Sequence, residues 1–171
     1  MTAFPREFAD LLTAKGRRVL EGRDPAHAGA LAGPERFFDA VAGAVDRAKA
    51  RAALAALEAD LAPHLRRLEQ GIPPESIAGQ TRNHQERLIK TVSVATAYLE
   101  RKGSAAWRAA ERIGLVAMTA SATWHRFAEV LAGRALDRRA GRQVLCYGPG
   151  DYAGPHTDHH PEDPRARAGY V

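Results

Sequence analysis

The chain has 171 residues, of which 45% are apolar, and a formal net charge of +5. That much apolar material can bury a core, which excludes disorder as the default. The longest charge-free stretch, Ile113 to Trp124, falls well short of the roughly 18 or more residues of a membrane-spanning helix, and Arg6, Glu7 and Asp10 interrupt any apolar leader, so a cytoplasmic protein without a membrane partner is expected.

Two further classes are excluded by residue type and placement. The single cysteine, Cys146, cannot form an intrachain disulfide or a cysteine-based zinc cluster, so any metal site must be built from His, Asp and Glu. Of the 25 basic residues 21 are arginines, but they are interleaved with acids: Glu69 follows Arg66-Arg67, Arg82 and Arg87 flank Glu86, and Arg108 and Arg112 flank Glu111. That pattern suits solvated faces of mixed charge rather than a basic stripe, and a nucleic-acid partner is not expected.

With 35 alanines, the chain reads as helical up to about Ala140. Phe8, Leu11, Leu12 and Val19 predict a helix from Pro5 to about Leu20, followed by a Gly-, Pro- and Ala-rich connection over 22–33. Pro34 suits the first turn of a second helix. Phe38, Val41 and Val45, then Leu54, Leu57, Leu61, Leu65 and Leu68, give that helix one buried face, with a kink or division at Pro63. After the break at Gly71-Ile72-Pro73-Pro74 a third helix is expected through Leu88, Ile89, Val92, Ala95, Tyr98 and Leu99, ending at Gly103. Ser104 is a candidate N-cap for a fourth helix, reaching Leu131, with Trp107, Met118 and Trp124 as core residues. His27, His64, His84 and His125 read as surface or internally satisfied histidines.

From Gly141 the composition changes. Gln143 to Tyr147 predicts a short strand, Gly148-Pro149-Gly150-Asp151 a turn, and the following residues a second strand. Side chains alternate along a strand, so His156 and Asp158 would share one face, with the spacing of two neighbouring ligands of one metal ion. Imidazole plus carboxylate without thiolate suits Fe(II), Mn(II), Co(II), Ni(II) or Zn(II).

Tyr147, Gly150 three residues on, and His156 nine residues after the tyrosine, leading into His156-Thr157-Asp158, resemble the opening strands of the catalytic core of 2-oxoglutarate and Fe(II)-dependent dioxygenases, prolyl-hydroxylase-like branch. The resemblance covers only residues 141–171. Taken with the helical reading of residues 1–140, it implies a mainly α chain in which residues 141–171 are the first strands of an incomplete double-stranded β-helix, or jelly roll. His156 and Asp158 would be two Fe(II) ligands and Tyr147 a contact to the co-substrate 2-oxoglutarate. The implied reaction is hydroxylation of a substrate C–H bond with O₂, coupled to decarboxylation of 2-oxoglutarate to succinate, with ascorbate as a supporting reductant; the primary substrate is not implied.

The family's core has about eight strands, a second iron-binding histidine, and a distal Arg or Lys for 2-oxoglutarate. Here no histidine follows His160, and Arg165 and Arg167 stand in a turn-like setting. The expectation is a truncated or excerpted dioxygenase that is inactive alone, or else a site completed by His159, His160 or a second copy in a homo-oligomer. The competing class is a helical binding or scaffold protein with a metal-affine C-terminal tail rich in His and Asp.

Overall fold

The computed structural model describes residues 3–33, 39–70, 92–99, 101–136 and 142–153. The chain separates into two compact units, each discontinuous in sequence: Met1–His64 with Tyr98–Arg142, and Leu65–Ala97 with Gln143–Tyr170.

The first unit is helical. A 3₁₀ turn at Phe8–Leu11 precedes α1 (Ala14–Leu20), and the break between them is set by Thr13, which takes an extended backbone and accepts the Gly16 N–H on its hydroxyl. Such an N-cap contributes about 1 kcal/mol. Phe8, Leu11, Leu12 and Val19 are buried, the face expected from their spacing, although it is divided between two elements. The turns over 22–33 are tied down by Gly29 N–H to Val130 O (2.8 Å) and Leu31 N–H to Leu131 O (3.0 Å).

The second helix starts later than its apolar pattern suggests. Residues 39–46 are turns and a bridge, Val45 pairs with Leu12, and Asp46 caps α2 (Arg47–Ala56) by accepting from Ala48 N–H and Lys49 N–H. The chain then widens into a π turn at Leu57–Leu61 and tightens into a 3₁₀ turn at Ala62–His64, which contains Pro63 and ends the helical run.

The expected fourth helix is three. Ser104 does cap α3 (Ala105–Arg112), accepting from Trp107 N–H at 3.1 Å. Gly114, with φ +90°, breaks the pattern before α4 (Leu115–Thr119), and Ser121 caps α5 (Ala122–Ala132). Phe4 closes over the first break, its N–H bonding to Ile113 O at 3.0 Å. Met118 is in the core, Trp107 is half-buried, and Trp124 is 39% exposed while its ring packs edge-on against Phe8 at 4.9 Å.

The second unit overturns the mainly α expectation and its incomplete jelly-roll continuation. The protein is of mixed class: the described residues include an antiparallel sheet of four strands, β1 (Arg66–Gln70), β2 (Val92–Tyr98), β3 (Gln143–Cys146) and β4 (Tyr152–Ala153). β1 and β2 replace the helices that the leucine spacing and the Val92-Ala95-Leu99 spacing suggested. The stronger signal in β2 is the two-residue alternation of Val92, Val94 and Thr96, β-branched residues that are all buried and favour the extended backbone. Arg66 pairs with Thr96 and Gln70 with Val92 on one edge of β2. The other edge carries both β3 and β4, with Ser93 opposite Tyr152 and Val92 opposite Ala153. Thr96 stitches β2 to β3, its hydroxyl donating to Val144 O (2.9 Å) and accepting from Gln143 Nε2 (2.9 Å).

Candidate functional site

The residues singled out by the sequence fall partly within the described chain. Tyr147 follows β3 directly and is 50% exposed. His156 and Asp158, with the strand expected to carry them, lie outside the described residues, as do Pro34, Phe38, His84 and the stretch 71–91 of the expected third helix. Among the described residues no group of three or more His, Cys, Asp or Glu could hold a metal ion.

The turn between Tyr147 and β4 falls where its composition places it. Asp151 N–H donates to Gly148 O at 3.0 Å, and Gly150 has φ +83°. With Pro149 at the second position and glycine at the third, this is type II geometry, in which the third residue must adopt positive φ. The glycine three residues after Tyr147 therefore has a backbone reason to be there. The turn does not fold β4 back onto β3; it interrupts a single path along the edge of β2, so both flanking strands keep the same neighbour.

Asp151 locks that turn from within and from across the sheet. Its Oδ2 accepts the Gly148 N–H at 2.9 Å, its Oδ1 lies 2.6 Å from Arg67 Nη1, and its side chain is only 6% exposed. Arg67 is on β1, with β2 between it and the turn. Its Nη2 also donates to Ser93 Oγ on β2, and its Nε reaches Glu69 Oε1 at 3.4 Å. Facing positions on paired strands share one side of a sheet, so Arg67, Glu69, Ser93 and Tyr152 are on the same face. The Asp151 carboxyl is held below its ordinary value of 3.8, first by the Gly148 N–H and then by the Arg67 guanidinium, which is itself held more firmly charged by Asp151.

A lowered carboxyl pKa stabilises the folded state fully above the unfolded value, and that contribution disappears as pH falls through the folded value. The stability difference between the unsubstituted chain and Asp151→Asn should therefore be constant from neutrality to about pH 5, and shrink only on going below 3.8. Denaturant midpoints measured across that range test it; a difference already lost at pH 6 would contradict the assignment.

The first unit holds two further features. His27 Nδ1 lies 2.6 Å from Asp39 Oδ2, with side chains 13% and 2% exposed, so His27 is satisfied inside the protein. His64 is exposed. An open cavity of about 450 Å³ lies between the Gly22–Gly29 turns and α5, with Arg126, Glu129 and Val130 on its wall. No described helix is long and apolar enough to cross a membrane.

Sequence reasoning missed Arg67, which it placed on a solvated mixed-charge helix face. A strand reading of 66–70 would have put Arg67 and Glu69 on one side, but no local signal names the distant Asp151. Comparison with protein-family models, with curated proteins and with solved structures gave no match.

Proposed function

We propose that the chain carries part of the metal site of a 2-oxoglutarate and Fe(II)-dependent dioxygenase, with His156 and Asp158 as two ligands and Tyr147 as a contact to the co-substrate. The observation that supports this most is the type II turn at Gly148–Asp151: it accounts physically for Gly150 at its interval from Tyr147, and it hands the chain on to a paired strand that precedes the His-Thr-Asp run. The donor set also fits, because an imidazole and a carboxylate without a thiolate are suited to Fe(II). When bound, the metal would supply O₂ activation and orient 2-oxoglutarate by chelation. The chain's own part would be to present the two ligands and the half-exposed Tyr147 as the contact to the co-substrate.

The decisive experiment is anaerobic titration of the chain with Fe(II) in the presence of 2-oxoglutarate, following the visible charge-transfer band. A band that forms with the unsubstituted chain and is lost in both His156→Ala and Asp158→Ala is the expected result. A band indifferent to both substitutions, or no band at all, argues against the reading and leaves a binding protein with a metal-affine tail as the better account.

A further inference from the structure

The helix α2 stands largely in solvent. Eight of its ten residues are exposed and only Ala53 is buried, and among the described elements the π turn that continues it is the one it packs against broadly. Short helices draw most of their stability from a packed face, which α2 lacks. It rests instead on its six alanines and on the Asp46 cap.

Its charge is as one-sided as its packing. Arg47, Lys49 and Arg51 are its only charged residues, Asp46 is engaged in the cap, and Glu58 comes only in the π turn. Lys49 Nζ donates to Asp10 O, whereas no described acid lies within ion-pair reach of Arg47 or Arg51. Cations in the first turn oppose the helix macrodipole, so Arg47 costs the folded chain stability rather than adding it. Positions 47, 51 and 54 follow at intervals of four and three and share one side of the helix, where Leu54 is 54% exposed. Residues that break a local rule of stability with no return inside the fold are where function is expected.

We propose that this side of α2 docks an acidic amphipathic helix of a partner protein, with carboxylates one turn apart on Arg47 and Arg51 and an apolar side chain over Leu54. Charge complementarity selects that occupant. A second copy of the chain would set three cations against three. Nucleic acid phosphates would engage the arginines and leave the leucine unused, and one leucine is too little apolar surface to lie in a bilayer interface. Guanidinium groups take carboxylates through two parallel hydrogen bonds, which fixes register as well as charge. The surface lies in the first unit and does not depend on the dioxygenase-like reading.

The probe is a labelled synthetic amphipathic helix with glutamates at i and i+4 and a leucine one turn on, titrated with the full chain and followed by fluorescence anisotropy. Joint Arg47→Glu and Arg51→Glu substitution should weaken binding about tenfold, as two exposed ion pairs are reversed. Leu54→Ala should weaken it about tenfold as well, through the lost apolar contact. The melting temperature of the doubly substituted chain should hold or rise, because an acid in the first turn suits the helix dipole. A purely structural role for the arginines predicts a fall in melting temperature with no change in binding, and that result would overturn the proposal.

Binding undetectable at about 1 mM, or indifferent to these substitutions, would overturn it too. A peptide with its leucine replaced by serine and a DNA duplex are titrated alongside. If either binds as tightly as the leucine peptide, α2 is a general polyanion contact and not a docking face for a helix. Self-association of the chain that Leu54→Ala abolishes would give the face to a second copy instead.

Discussion

Gly114→Ala should cost roughly 3 kcal/mol or more, adding the left-handed backbone penalty of about 1–2 kcal/mol to an overpacking term of about 1–3 kcal/mol. Gly114 stands at φ +90° between α3 and α4, and a Cβ built there would lie 2.5 Å from Phe4 O, a backbone atom that cannot rotate away. Phe4 is itself buried and is held at this point by its hydrogen bond to Ile113 O, so relieving the clash means lifting the N-terminal segment from the helices. A domain of this size has about 5–15 kcal/mol in total, and each kcal/mol moves the melting temperature by roughly 2–4 °C. Thermal unfolding should therefore drop by about 6–12 °C. Gly103→Ala is the control: φ is +79° but nothing lies within 4 Å of the new Cβ, so only the backbone penalty of about 1–2 kcal/mol remains. Equal losses in the two variants would show that the approach of Phe4 contributes nothing.

That glycine also shows why the helices were only partly legible. A stripe at spacings of three and four runs from Trp107 to Leu131, and periodicity alone reads it as one helix. The serines tell more than the stripe does: Ser104 and Ser121 both cap helices, and each is followed three residues later by the tryptophan whose N–H it accepts. Local chemistry of this kind survives the passage from sequence to structure because it depends on neighbours in the chain. The Gly148–Asp151 turn was readable for the same reason. The sheet was not, because β1 and β2 each continue an apolar pattern at helical spacing, and deciding between periods of 2 and 3.6 in such short segments needs the partner strand.

The turn and its partner divide along the same line. Tyr147 and Gly150 could be named from their spacing and the turn's composition, whereas the contact of Arg67 with Asp151 arises only because β2 brings β1 and the turn to opposite edges of one strand. The proposed ligands themselves are a sequence-level reading.

Leu61→Ala should destabilise the first unit by about 3 kcal/mol, within the roughly 2–5 kcal/mol typical of emptying a well-packed leucine site. Leu61 is 1% exposed, at the end of the π turn that packs against α3, beside the Asp60–Arg112 ion pair at 3.5 Å. The informative comparison is Leu54→Ala. In an unbroken α-helix two residues seven apart differ in direction by only about 20°, so the leucine spacing assigns Leu54 and Leu61 to one buried face. The π turn at Leu57–Leu61 winds more slowly and rotates the residues after it, leaving Leu54 54% exposed while Leu61 enters the core. Leu54→Ala should accordingly stay within about 0.5 kcal/mol of the unsubstituted chain, as for other surface changes. Paired urea unfolding of the two variants measures this directly. Comparable losses at both positions would mean that the helix continues regularly through residue 61 and that the π turn does not set the packing of this segment.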